Sequence, residues 1–575
     1  MAMCKYVLCF CIAIAFPPAG ASAGEPDKVV IKGKHDASEV VITGVRDPSS
    51  WFRIESQHLI VYSDSDREQV VDLVNNLERL DYVLRLYLKP FLIPQNDPPK
   101  LTLYFQDRLE WAPGLGEFPV EASGMVDSCV SGTQAFTFNL GRMWKSSNAS
   151  LLKDDGDFTL SAIFKLYTDH FRYRHTDIRA PEWFLTGLDI YFGGVRFTDN
   201  QMAVGRPAEG TADAMKWFDY GDGYLPFLDY DQVLRKDVRP DFFVDFLKRA
   251  QKGTPKFRAQ YEFQSRAFNL AHYVLSSAEN RDKLSGYLER VNNGSDGGAA
   301  FADVYGLSGT DLATTMSHYR RVRMNVIKVD FPELPTARID FTRLSRIEGD
   351  FVLDNAALKA CPGPALGKQL LQRVQAAAAG AGAVDVAQGA LSRARIDWGD
   401  PRDALSWLSD AVRRDPYKEE LHYLLGIAHL KLAQGAAGDK RERLAKARAS
   451  LTEAASLAPG SPEIAYALFR TGIVDPDTPP EQAMPLAIRA WRQGHDVVAL
   501  AREAALAHAW LGDAAGAYQA FNTLARNERD PESVAWAVTW LALLEKGVTQ
   551  DRLLAAMRDE PFAPRSFRST SGDNR

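Results

Sequence analysis

The chain has 575 residues, 46% of them hydrophobic and 25% charged, and its 68 lysines and arginines against 74 aspartates and glutamates leave a formal charge of −6. That length accommodates two or more domains, and a mildly acidic balance offers no basic footprint for nucleic acid. Five cysteines in such a chain are too few for a disulfide scaffold.

The first 23 residues read as a cleavable secretory signal, with Lys5, an apolar run from Tyr6 to Phe16, and Ala21-Ser22-Ala23 before Gly24. The run is too short to span a bilayer, and no later stretch approaches the roughly 20 apolar residues of a membrane helix. The mature chain is therefore expected to be exported, periplasmic or secreted, with no integral membrane segment. Cys4, Cys9 and Cys11 leave with the signal, so Cys129 and Cys361 remain. An oxidising compartment permits a bond between them, with free or buried thiols as the alternative.

Residues 24–50 are polar, with Val29-Val30-Ile31 and Val40-Val41-Ile42 suiting either an edge hairpin or a loosely held arm. Phe52 to Tyr62 reads as a strand pair, and Asp64 to Leu88 carries Val70, Leu73, Val74, Leu77, Leu80 and Leu84 at helical spacing. Lys100–Phe105 and Ala135–Leu140 read as further strands, and this order predicts an α+β domain. Phe158 to Arg174 is an amphipathic helix, and Pro181 suits the first residue of the next one, which Gly193-Gly194 stops. Helical patterns then continue, so that residues 51–330 make one domain and the proline-punctuated residues 331–364 a linker.

Residues 365–560 are rich in alanine, leucine and arginine and carry a repeat. Ala404, Leu408, Ala411 and Pro416 stand at offsets 0, 4, 7 and 12, and Ala447, Leu451, Ala454 and Pro459 repeat them. Leu425-Gly426 precedes the second quartet, with an insertion around residues 434–442. Weaker units follow at Ala483/Ala487/Ala490 and at Ala517/Phe521/Leu524, the latter preceded by Leu511-Gly512. Small residues at these offsets let two antiparallel helices approach closely, and the proline ends the second. Residues 561–575 are polar and expected to be disordered.

Over residues 384–531 this grammar resembles tetratricopeptide (TPR) repeats. The resemblance implies an all-α TPR-like repeat domain whose concave face takes a protein or peptide partner.

A second resemblance lies upstream. Tyr167-Thr168, His170-Phe171, Pro181, Trp183, Gly187-Leu188 and Tyr191-Phe192 resemble the skeleton HEYTHHF…PxWFxEGLAxYF of gluzincin-type (thermolysin-like) zinc metallopeptidase domains in secreted bacterial proteins. It covers residues 51–322 and implies a gluzincin-like domain, a small sheet with a helical subdomain. Zinc hydrolysis there needs two histidines four apart on one helical face, a glutamate as general base, and a carboxylate ligand from a later helix.

Set on that skeleton, the four positions are Lys165, Leu166, Asp169 and Thr186, none of which supplies the chemistry. The resemblance thus implies a pseudopeptidase with a degenerate HExxH motif, no catalytic residue, no metal and no cofactor. Lys165 and Asp169 stand at i and i+4, so a salt bridge could hold what zinc once held, the alternative being two solvent-facing side chains.

The competing reading is an active metallopeptidase-like hydrolase with an unconventional site drawn from His170, His175, Asp177 and His272. His170 and His175 are five apart and poorly aligned on a helix, and a lone His272 suits a satisfied core histidine. No Gly-x-Ser-x-Gly elbow, phosphate-cradling loop or Cys-x-x-Cys is found.

Overall fold

The computed structural model describes residues 28–32, 39–43, 48–93, 99–107, 124–139, 155–322 apart from 179, 199, 207–227 and 236–254, 326–559 apart from 331–333, 436–438 and 526–530, and 567–570. The signal segment lies outside them. Lys28–Lys32 (β1) and Glu39–Thr43 (β2) pair antiparallel in a ladder of their own, which settles the arm-or-hairpin alternative as a separate two-stranded sheet.

The main sheet uses Pro48–Glu55 (β3), Leu59–Ser63 (β4), Leu101–Gln106 (β5), Gly124–Cys129 (β6) and Gly132–Phe138 (β7). Arg196–Phe197 (β8), Gln201–Val204 (β9) and Ile327–Asp330 (β10) make a small antiparallel sheet. Asp340–Ser345 (β11) and Phe567–Thr570 (β12) complete the main sheet, whose order is β11-β3-β4-β5-β7-β6-β12. The β4–β5 and β5–β7 pairs are parallel and the others antiparallel.

Arg67–Tyr87 (α1) starts where the Asp66 carboxylate accepts a hydrogen bond from Gln69 N at 3.1 Å. It buries Val70, Leu73, Val74, Leu77, Leu80 and Leu84 against the sheet core. Asp155–His175 (α2) and Glu182–Gly193 (α3) follow, and Pro181, expected inside α3, is its extended N-cap. Tyr230–Leu234 (α4), Pro255–Leu275 (α5), Ala278–Asn292 (α6), Gly297–Tyr305 (α7) and Gly309–Val322 (α8) complete this first helical set.

The predicted linker is part of the fold. Within residues 331–364, β11 pairs with β3, and Arg346–Asp350 (α9) and Val352–Lys359 (α10) are helical. The second face of the sheet buries Trp51, Tyr104, Met125 and Phe136 together with Phe351, Val352, Leu358, Leu370 and Leu391. Tyr104 stacks on Tyr62 and Phe136 there, with centroids at 5.5 and 4.9 Å. Apolar surface on both sheet faces left no solvent side for a free linker to follow.

The all-helical region comprises Pro364–Ala381 (α11), Asp385–Trp398 (α12), Arg402–Arg414 (α13), Glu419–Gly435 (α14), Lys440–Leu457 (α15), Pro462–Val474 (α16), Pro480–Gln493 (α17), Val498–Trp510 (α18), Ala514–Ala525 (α19), Pro531–Glu545 (α20) and Gln550–Asp559 (α21). Its TPR-like units are the successive pairs from α12/α13 to α18/α19. Ala404, Leu408 and Ala411 are buried on α13, and Ala447, Leu451 and Ala454 on α15.

Gly426 is needed where it stands, because a Cβ there would lie 2.6 Å from Leu451 Cγ. Leu511 and Gly512, however, form the turn between α18 and α19, with Gly512 at φ +75°. That pair ends a helix and does not occupy the Leu-Gly place inside one. Residues 567–570, expected to be disordered, are paired on β6.

Candidate functional site

Helix α2 carries three of the four degenerate positions, and close approaches decide where their side chains go. Gly193, at the end of α3, faces Lys165: a Cβ on it would lie 2.6 Å from Lys165 Cγ. The lysine stem therefore fills the space an alanine would need. Burial pulls its ammonium below the usual lysine range, and Asp189 of α3 opposes that pull.

Leu166 is buried and points the other way, its Cδ2 lying 3.0 Å from where a Cβ on Gly124 of β6 would stand. Asp169 pairs with Arg172, whose guanidinium also lies 3.5 Å from Asp189. Thr186 donates its hydroxyl to Glu182 at 3.0 Å, within α3.

Of the two alternatives left open, a Lys165–Asp169 bridge or solvent-facing side chains, neither is found: Asp169 pairs with Arg172, which also approaches Asp189. Spacing at i and i+4 permits a pair, but Arg172 is the planar two-ended donor able to reach both carboxylates. The lysine is drawn to the gap at Gly193.

α3 crosses α5 closely. A Cβ on Gly187 would lie 2.4 Å from Ala267 O and 2.6 Å from Ala271 Cβ, so the Gly187-Leu188 pair is explained by helix crossing. His272 of α5 hydrogen-bonds the Tyr319 hydroxyl at 2.7 Å and packs against Gly205, whose φ of +90° and missing side chain leave room for the ring. It is a buried core histidine, hydrogen-bonded through Nδ1.

His170 and His175 are buried side by side, their ring centroids 6.2 Å apart. Burial pushes His170 down to about 4, and Asp496 opposes this incompletely; burial likewise takes His175 well below the ordinary range. Asp177 donates its backbone N–H to Phe91 O at 3.0 Å. The histidines proposed for a rearranged metal site are divided between two places, His272 on Tyr319 and the other two at the end of α2. Among the described residues no three His, Cys, Asp or Glu side chains are grouped as metal ligands.

The end of α2 meets the helical region at Asp496, in the α17–α18 connection. This carboxylate is almost wholly buried and accepts hydrogen bonds from Ser128 Oγ at 2.8 Å, Thr133 Oγ1 at 2.6 Å and Arg174 Nη1 at 2.8 Å. Burial alone would raise its pKa, but Arg174 first, then His170 and the two hydroxyls, hold it well below the carboxylate range. His495 is next in sequence, its ring stacked on Trp491 at 4.8 Å and pushed down to about 4 by burial.

A second polar contact lies one helix pair earlier. Ser131, in the β6–β7 turn, donates to Glu463 of α16 at 2.9 Å, and the same carboxylate takes Arg393 of α12 at 2.9 Å. Arg393 also reaches Glu420 of α14 and lies over the Tyr423 ring at 5.4 Å. Cys129 and Val130 enter the apolar core built by α16 to α21. Cys129 and Cys361 form a disulfide with Cα atoms 6.1 Å apart, which resolves the pair left open between bonded and free thiols.

The β6–β7 turn thus reaches the first helices of the repeat pairs at Glu463, whose carboxylate it shares with Arg393. Sequence reasoning missed Asp496, Ser128, Thr133, Ser131 and Arg174, because each is a single polar residue without a motif.

Among solved structures, the chain is similar to a thermophilic TPR protein of Thermus thermophilus, at 16% identity over 34% of this chain and 93% of that one, with a TM-score of 0.26. No family matches the chain, and no curated protein matches it. The repeat reading stands on the helix pairs themselves.

Proposed function

We propose that this chain is an exported, non-catalytic binding protein, a pseudopeptidase whose degenerate gluzincin-like domain and TPR-like region act as one joined unit on a protein or peptide partner. The observation that carries this reading is how the four degenerate positions are used. Lys165 packs on Gly193, Leu166 on Gly124, Asp169 on Arg172 and Thr186 on Glu182. Each is committed to a structural contact, and none is a group that could generate a metal-bound nucleophile.

Helical repeats favour protein partners, because stacked pairs build extended surface in place of a pocket. The partner-facing surface on this reading is the part of the helical region that the β6–β7 turn leaves uncovered.

The deciding measurement is the metal content of the protein starting at Gly24, by elemental mass spectrometry after zinc exposure and removal of the excess. Near-zero metal is expected. Stoichiometric zinc would overturn the reading and bring the hydrolase alternative forward, with alanine at His170, His175 and His272 as the next variants. Amino-terminal sequencing of the exported product, expected to begin at Gly24, tests the leader.

A further inference from the structure

The sheet ends on a strand that comes from the far end of the chain. β12, residues 567–570, lies antiparallel on β6 with Phe567 opposite Ser128, Arg568 opposite Asp127, Ser569 opposite Val126 and Thr570 opposite Met125. Without it β6 would be the sheet's outer strand, presenting the unpaired backbone groups that accept another strand.

The two partners are unequal. β6 is fixed on every other side: β7 pairs along its length, Ser128 is bonded to Asp496, Cys129 is in the disulfide, and Met125, Val126 and Asp127 are buried. A preorganised edge of this kind pays little to bind.

β12 is four residues of largely polar sequence, and a short strand contributes little on its own. It is held near by α21, whose Leu553 and Met557 are buried and whose Met557 carbonyl accepts Arg470 Nη1 at 2.6 Å. Tethering so close to an anchor replaces affinity with proximity, an effective concentration on the order of millimolar for short linkers. The register also sets a basic residue against Asp127, which is fully buried, and opposite charges across a strand pair favour that pairing.

We propose that the outer edge of β6 is a strand-accepting site for an extended peptide carrying a basic residue opposite Asp127, and that residues 567–570 are its displaceable resident. The resident strand sets a threshold, since an incoming peptide must outcompete a tethered one. This inference stands on strand order and register and is independent of whether the chain retains catalysis.

The test uses the full chain, unaltered and with Arg568→Pro/Ser569→Pro in the tail, titrated by fluorescence anisotropy with a labelled peptide of residues 564–575. Two adjacent prolines remove the donors that pairing needs whichever of the two faces β6. The proline-bearing chain is expected to bind the peptide at least about tenfold more tightly than the unaltered chain, because its own strand no longer competes. A peptide carrying the same prolines is expected not to bind, and an Arg568→Glu peptide to bind at least about tenfold more weakly.

Equal binding by the two chains, including none by either, overturns the proposal, as does undiminished binding of the proline peptide. Matching circular dichroism melts of the two chains confirm that folding is not what is read.

Discussion

The middle and the end of helix α2 put the same secondary structure to opposite uses. Toward its middle, Lys165, Leu166 and Asp169 are satisfied locally, by a glycine gap, a strand glycine and an arginine one turn away. At its end, Arg174 is satisfied by Asp496, more than 300 positions along the chain, and His170 lies in the same electrostatic environment. A helix segment that only packs locally can settle into small contacts. One that ties two regions together must bury charge, and buried charge is tolerated only when paired and hydrogen-bonded.

The contrast breaks most readily at its far end. Asp496→Ala leaves Arg174 buried without its carboxylate and is expected to cost about 3–5 kcal/mol, the usual effect of removing one member of a buried pair. Urea unfolding measures it, and a cost under about 1 kcal/mol would mean that the junction is not held by this group.

Acid sharpens the same contrast with a somewhat smaller effect per group. His170 and His495 are held neutral, with folded pKa values of about 4, below the ordinary histidine value, so the unfolded chain takes up protons first. Their contribution is complete above about pH 6.5, is lost as the pH falls toward about 4, and changes no further below that, with an upper bound of about 3 kcal/mol per ring. Asp496 stays ionised through this window. The gap between urea midpoints at pH 7 and pH 4.5 should narrow when His170→Gln and His495→Gln are combined, the depressed His175 keeping part of it; an unchanged gap would place the acid sensitivity elsewhere.

The smallest effect belongs to the middle of the helix. A double-mutant cycle with Lys165→Met and Asp169→Asn is expected to give a coupling below about 0.5 kcal/mol, since the two side chains have different partners. A coupling above about 1 kcal/mol would restore the bridge that ligand spacing suggested.

The helix pairs were legible because their signal is local. Ala404, Leu408 and Ala411 recur as Ala447, Leu451 and Ala454 since two helices can meet closely only over small side chains, and Gly426 against Leu451 is that requirement at a single position. Strand β6 was missed because Gly-Met-Val-Asp-Ser-Cys is buried throughout and carries a glycine and an aspartate, giving neither alternation nor β-propensity to read.

The supposed linker and the supposed disordered tail failed alike. Polar or proline-bearing segments were read by composition, while a sheet edge accepts almost any sequence through its backbone. The junction was illegible because Ser128, Thr133, Arg174 and Asp496 acquire meaning only as neighbours.

The bond between Cys129 and Cys361 encloses 232 residues of sequence separation in a covalent ring, and the helices from α11 onward hang outside it as a tail. A protease cutting once anywhere within that ring would open a loop without dividing the molecule. The nicked protein would run as a single species on a non-reducing gel and separate into two pieces only after a thiol is added.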